Sequence, residues 1–289
     1  MRPGDFHLER NARHGVIRGL GTAVMMLLSV VQAAAQSPKL KNIELCNSLG
    51  LISPDLQING CTALIESGAE TQKIWAIAHN NRGNALIKKS EYDRAIQDYD
   101  QSIKLHPSYA KAFNNRGVAY RHKGEHDRAI KDFDEAIKLD QNYVNAFANR
   151  AETYRNKGEY DRAVRDLDEI VRLQPALETA WNERCWVRAI VGELQSALAD
   201  CNEALRLEPN SAATLDSRGF TYLKLGQWDA AIADYGSALR LRPNLASSLY
   251  GRGLAKRKKG DNTGGNADIA AANAVEANIA GTFAGYGAQ

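Results

Sequence analysis

Residues 110–143 read AKAFNNRGVAYRHKGEHDRAIKDFDEAIKLDQNY, and residues 144–177 read VNAFANRAETYRNKGEYDRAVRDLDEIVRLQPAL. The two stretches align without a gap, and the same interval of 34 residues separates six arginines: Arg82, Arg116, Arg150, Arg184, Arg218 and Arg252. A fixed period of this length is typical of stacked repeats rather than of a single compact core. Counted from Ala76, the predicted repeats are 76–109, 110–143, 144–177, 178–211, 212–245 and 246–279.

Small residues recur at two positions of each repeat, and large apolar residues at a third. Position 8 is Gly83, Gly117, Ala151, Cys185, Gly219 and Gly253; position 20 is Ala95, Ala129, Ala163, Ala197, Ala231 and Gly265; position 24 is Tyr99, Phe133, Leu167, Cys201, Tyr235 and Ile269. Apolar residues lie at helical spacing on both sides of a short polar turn, which predicts two antiparallel helices in every repeat. Four repeats carry proline at position 32, where it ends the second helix.

The quoted stretch also contains HKGEH at residues 122–126, which matches the H-x-x-E-H pattern of zinc metallopeptidases. The repeat places these residues at the turn between two helices, with Gly124 where the first helix should end in a left-handed residue. His122 and His126 are therefore expected on different helices, unable to point at one metal ion from a single helical face. The sequence also lacks a phosphate-binding loop and a nucleophile elbow, so we predict no enzyme, no metal site and no cofactor.

The pattern resembles the tetratricopeptide repeat, whose W-x2-L-G-x2-Y…A-x3-F…P framework it follows over about 200 residues. The resemblance implies an all-α fold, a right-handed α-solenoid of helix-turn-helix repeats with helical caps. It also implies a non-enzymatic scaffold whose partner is a protein or peptide. The chain departs from the framework at position 7, which is arginine throughout, at position 11 in Arg188 and Lys256, and at Gln141, which replaces a proline.

In tetratricopeptide proteins the inner faces of the first helices line a concave groove that holds a peptide. Carried onto this chain, the predicted groove residues are Asn80, Asn84, Asn114, Arg121, Asn182, Trp186, Phe220, Leu223, Tyr250 and Leu254. The apolar members would form an exposed surface of the kind that marks an interaction site. The alternative is that some of them pack beneath a C-terminal capping helix. Asn80 stands where the carboxylate clamp of this family needs lysine, so recognition of an acidic C terminus is not expected.

Every repeat has arginine at position 7 and aspartate at position 23. The matched residues are Arg82 and Asp98, Arg116 and Asp132, Arg150 and Asp166, Arg184 and Asp200, Arg218 and Asp234, and Arg252 and Asp268. Because the planar guanidinium binds a carboxylate through two hydrogen bonds, these residues predict a ladder of ion pairs, within or between repeats.

The two ends of the array are predicted to be helical caps, and the N-terminal one contains two of the four cysteines. Ser53-Pro54-Asp55 is a good helix start, and residues 36–75 are predicted to be an N-terminal helical cap, a degenerate repeat. Residues 280–289 are predicted to be a C-terminal cap and tail, with a short helix within 276–286. Cys46 and Cys61 lie in the N-terminal cap, and Cys185 and Cys201 lie at facing positions of one repeat, so we predict these two disulfides. Buried free thiols are the alternative.

The first 35 residues have the layout of a secretory signal peptide. Four arginines precede the apolar run LGTAVMMLLSVV at residues 20–31, and a small-x-small site predicts cleavage after Ala35. The run is too short to span a membrane, so we expect a periplasmic or secreted protein without a membrane span in the mature chain. An amphipathic N-terminal helix in a cytoplasmic protein is the alternative.

Charge and repeat architecture narrow the choice of partner. The formal net charge is only +3, which argues against nucleic acid as a partner. Self-association is a further possibility, in which the groove of one copy takes the C-terminal helix of another.

Overall fold

The computed structural model describes residues 38–48, 52–68 and 70–288, so the predicted signal peptide lies outside the described residues. Within these ranges all regular elements are α-helices, which confirms the all-α fold class. They are α1 (Pro38–Asn47), α2 (Pro54–Glu66), α3 (Gln72–Lys88), α4 (Tyr92–Leu105), α5 (Ala110–His122), α6 (His126–Leu139), α7 (Val144–Asn156), α8 (Tyr160–Leu173), α9 (Glu178–Val191), α10 (Leu194–Leu207), α11 (Ala212–Lys224), α12 (Trp228–Leu241), α13 (Ala246–Lys258), α14 (Asn262–Val275) and α15 (Ile279–Gly285).

The chain divides into two units after Pro107. The first unit contains α1 to α4. The side chain of Ser53 accepts a hydrogen bond from the backbone N–H of Leu56 at 3.3 Å and so begins α2, as the sequence predicts. A disulfide joins Cys46 of α1 to Cys61 of α2, and both cysteines are fully buried.

The second unit contains five helix hairpins, α5 to α14, followed by the short helix α15. A left-handed glycine stands in the turn of each hairpin: Gly124, Gly158, Gly192, Gly226 and Gly260 have φ between 73° and 93°. This conformation strains any residue with a Cβ, so glycine lets the chain reverse within a few residues. It also separates the two histidines of HKGEH, since His122 is the last residue of α5 and His126 the first of α6.

The size of the residue at position 8 is matched to that of its neighbour at position 24. A Cβ added to Gly117 would lie 2.6 Å from the ring of Phe133, closer than real Cβ atoms come. One hairpin instead has Ala151 and Leu167 at these positions, and both belong to one buried cluster, where leucine in place of an aromatic residue leaves room for the methyl group. In the next, Cys185 and Cys201 fill the same two positions and form a disulfide. The crossing point of each hairpin is therefore packed by matched volumes.

Candidate interaction surface

The predicted Arg–Asp residues meet in every hairpin. In each of the six pairs, Nε and Nη2 of the arginine donate to the two carboxylate oxygens of the aspartate, at 2.6 to 2.9 Å. The aspartates are buried and the arginines partly buried. Each pair therefore joins the two helices of one hairpin and keeps a buried carboxylate compensated.

Several of these arginines also contact the preceding hairpin through Nη1, as Arg82 does with Thr62 at 2.9 Å. Nη1 of Arg184 donates to Asp168 at 2.9 Å, and the corresponding atom of Arg218 donates to Asn202 at the same distance. Arg150 reaches Asp134 in the same way, at 2.5 Å. The ion pairs of the ladder thus lie mainly within hairpins, and additional hydrogen bonds from Nη1 connect neighbouring hairpins.

In the first unit, Asp98 has two partners. Arg82 binds both carboxylate oxygens, and Nδ1 of His79 lies 2.8 Å from one of them. Burial by itself would raise the pKa of the Asp98 carboxyl, but the hydrogen bonds from Arg82 and His79 outweigh it and lower the pKa below its ordinary value.

The apolar half of the predicted groove is not an exposed surface, which corrects the expectation from sequence. Phe220, Leu223 and Leu254 are buried, and Trp186 and Tyr250 are partly buried. Their cover is the C-terminal segment, the alternative that the sequence left open.

The C-terminal helix α15 and the turn after it place three apolar side chains on the predicted groove. Ile279 and Phe283 are each only 2% exposed. The ring of Phe283 lies 5.6 Å from that of Phe220 and 4.9 Å from that of Tyr250; Tyr286 meets the Trp186 ring edge-on at 5.3 Å. Ile279, Phe283 and Tyr286 are spaced i, i+4, i+7, the pattern by which an amphipathic helix fills an apolar groove. We call this set of contacts the covered cluster.

A lysine links the C-terminal segment to the repeats by hydrogen bonds. Nζ of Lys224, at the end of α11, donates to the backbone oxygens of Ala189 at 2.8 Å, Ile190 at 3.1 Å and Tyr286 at 3.1 Å. Burial lowers the pKa of the Lys224 ammonium. Sequence reasoning missed Lys224 as well as Phe283 and Tyr286, since no repeat position marks a contact with the tail.

Three predicted asparagines are engaged by the fold itself. Asn80 is buried, and its Nδ2 donates to Asn81 at 3.3 Å. The hydroxyl of Tyr99 donates to Asn84 at 2.8 Å. Asn114 is buried and accepts from Asn149 at 2.9 Å. Asn80 and Asn114 are therefore not available to a peptide in this structure, contrary to the expectation from sequence.

A cavity of about 530 Å³ opens on the same face, between α7 and α9. Its walls include Asn145, Ala148, Glu152 and Arg155 from α7, and Thr179 and Glu183 from α9; Leu167 and Ile170 of α8 lie beneath. We call it the open cavity. Arg155 pairs with Glu183, and the predicted groove residue Arg121 pairs with Glu152. The glutamate side chains of these two pairs are 45% and 50% exposed. Ion pairs at the surface contribute about 0–1 kcal/mol, so exchanging them for contacts with a ligand costs little.

Neither a metal-binding cluster nor a membrane-spanning helix occurs among the described residues. No group of three histidine, cysteine, aspartate or glutamate side chains there is arranged to hold a metal ion. Of the helices in the described ranges, none combines the length and apolarity needed to cross a bilayer.

Sequence-family comparisons agree with the helix hairpins. Models of the tetratricopeptide repeat match residues 80–144, 133–165 and 219–260. Residues 80–165 and 219–260 are therefore tetratricopeptide repeats. A comparison with curated proteins finds no match.

Solved structures of tetratricopeptide repeat proteins share the fold. YrrB, described as a TPR protein with an unusual peptide-binding site, has a TM-score of 0.56 at 23% identity, over 65% of this chain and 95% of its own. MamA has a TM-score of 0.50 at 25% identity, over 57% and 96%. A tetratricopeptide repeat protein from Parabacteroides merdae ATCC 43184 has a TM-score of 0.63 at 16% identity, over 86% and 99%. These likenesses support the all-α solenoid fold.

Proposed function

We propose that this tetratricopeptide repeat chain is a non-enzymatic scaffold that binds an extended peptide segment of a partner protein in the open cavity. The observation that carries the proposal is the cavity itself, which exposes amide, carboxylate and guanidinium groups above an apolar floor. Such a mixture suits a peptide, because polar walls can bond its backbone while the floor receives a side chain.

We place this function in the bacterial periplasm or cell envelope. Two observations support that location. The described residues hold two disulfides, Cys46–Cys61 and Cys185–Cys201, and disulfides persist in oxidising compartments. The first 35 residues have the sequence pattern of an export signal.

A selection of short random peptides on the purified chain tests the binding function. Ala148 is exposed on the wall of the open cavity, so Ala148→Trp fills the space without disturbing a buried contact. We expect the wild type to enrich a family of related peptides and Ala148→Trp to lose it. Ala233→Trp, on an exposed alanine of α12 outside the cavity, is the matched control and should behave as the wild type. Equal enrichment by both variants would place binding elsewhere.

Self-association through an exchanged C-terminal helix is the second possibility that the sequence raised. In the structure α15 packs on its own chain, so exchange requires the covered cluster to open first. Light scattering across a concentration series separates the two proposals, because a scaffold of single chains keeps one mass and exchanging chains do not.

A further inference from the structure

A second cavity, of about 310 Å³, lies beside the open cavity, and Arg155 and Glu183 line both. Trp186 of α9 and Asp216 of α11 line this second cavity, together with Phe283 and Tyr286 of the C-terminal segment. It therefore occupies the boundary between the open cavity and the covered cluster. We call it the boundary pocket.

Asp216 is the distinctive group of the boundary pocket. Its two oxygens accept hydrogen bonds from Ser247 at 2.9 Å and from Ser248 at 2.5 Å. In the described part of the chain, no lysine, arginine or histidine forms an ion pair with it. Asp216 is partly buried, and this burial raises the pKa of its carboxyl to about 6. At neutral pH the carboxylate is an anion whose hydrogen-bond donors are two neutral hydroxyls.

The other charged groups around the boundary pocket do not supply the missing cation. Arg155 forms its ion pair with Glu183 rather than with Asp216. Arg242 and Glu276 also line the pocket, and both side chains are exposed to solvent. Among the described residues, the carboxylate of Asp216 therefore has no positively charged partner.

Two further features favour a positively charged ligand. Trp186, Phe283 and Tyr286 line the boundary pocket, and the π faces of aromatic rings attract cations. The side-chain oxygen of Asn182, another lining residue, is buried and has no hydrogen-bond partner among the described residues. A buried acceptor without a donor is unfavourable, so an ammonium or guanidinium group would satisfy Asn182 and Asp216 together.

We propose that the boundary pocket binds the lysine or arginine side chain of a peptide lying in the open cavity. The inference rests on the proposed function, because the peptide reaches the boundary pocket past the shared residues Arg155 and Glu183. The chain therefore selects basic peptides even though its own net charge is slightly positive. The carboxylate of Asp216, in a pocket lined by aromatic rings, determines this selectivity.

The peptides selected on the wild-type chain are the probe for this inference. We expect a lysine or arginine at one fixed position of the selected family. For a synthetic member, replacing that lysine by norleucine, or that arginine by citrulline, should weaken binding to the wild type about ten-fold or more by calorimetry. In Asp216→Asn the same replacement should have little effect. Glu208→Gln removes the same charge from an exposed residue outside the pocket and should keep the full difference.

The outcomes separate the two proposals. If peptides are selected but the neutral replacement costs as much in Asp216→Asn as in the wild type, the cation pocket is wrong and peptide binding stands. The same conclusion follows if the selected family has no fixed basic residue; Asp216 then only joins α11 to α13. If the wild type selects no peptide, both proposals fail. Thermal melts of Asp216→Asn establish that the variant is folded, since asparagine can still bond both serines.

Discussion

The open cavity and the covered cluster occupy the same face of successive repeats and yet differ in what meets the solvent. Position 9 is Glu152 in the repeat of the open cavity, and Trp186 and Phe220 in the next two. A charged side chain such as that of Glu152 favours a solvent-exposed position, because burying it without a partner costs several kcal/mol. An aromatic side chain favours burial beneath another segment of the chain, because burial removes its apolar surface from water. One backbone therefore presents a solvated face and a buried one.

The largest expected effect is on the covered cluster. Phe283→Ala removes a ring that packs on Phe220 and Tyr250, so the free energy of unfolding of the last repeats should fall by about 3–5 kcal/mol. Thermal unfolding and binding of an apolar dye report the loss and the newly exposed surface. Val275→Ala, at an exposed apolar residue of α14, is the control. An unchanged melt of Phe283→Ala would mean that α15 does not cover this face.

The contribution of an Arg–Asp pair to stability should be the same in the repeat of the open cavity and in the repeats of the covered cluster. Asp166 belongs to the repeat whose first helix lines the open cavity, and Asp234 belongs to the repeat of Phe220 in the covered cluster. Asp166→Ala or Asp234→Ala removes the carboxylate that binds both Nε and Nη2 of a partly buried arginine. We expect each to cost on the order of 3 kcal/mol, measured by chemical denaturation. Asp161→Ala, exposed on the same helix as Asp166, should cost far less. A large loss of stability in only one region would show that the contribution of the pair depends on packing against the C-terminal segment rather than on the hairpin itself.

A smaller loss of stability is expected when the hydrogen bonds between Lys224 and the C-terminal segment are removed. Lys224→Met keeps the length of the side chain and removes its hydrogen bonds to three backbone oxygens, one of them at Tyr286. The loss should be about 1–2 kcal/mol, and limited proteolysis should cut the C-terminal segment faster. Lys258→Met, an exposed lysine of α13, serves as the control. Equal cleavage of the two variants would contradict the fastening role.

The smallest effect is a pH dependence at the boundary between the regions. Burial raises the pKa of Asp216 from 3.8 to about 6, so the native chain holds this proton more tightly than the unfolded chain. The resulting stability is present below pH 3.8 and is lost as the pH rises through about 6. The stability difference between the wild type and Asp216→Asn should therefore shift by on the order of 1 kcal/mol across this window, after solvent screening. A constant difference would mean that the carboxyl titrates normally.

The sequence predicted the framework of the repeats well, because each framework residue occurs six times in register. The turn at Gly124, the facing positions of Gly117 and Phe133 and the all-α fold all follow from that recurrence. The face of the repeats was harder to predict. Phe220 and Asn114 have the right position for a groove, but burial depends on neighbours that the repeat does not specify.

The sequence by itself determined that this chain folds into helix hairpins, because helical periodicity, turn glycines and matched volumes are local properties repeated along it. Only the tertiary structure decided which part of the face is open. The contact between Lys224 and Tyr286 spans 62 residues and joins a repeat to a tail outside the repeat pattern. No periodic signal encodes such a contact, since its free energy arises only when the helices have already placed the aromatic side chains together.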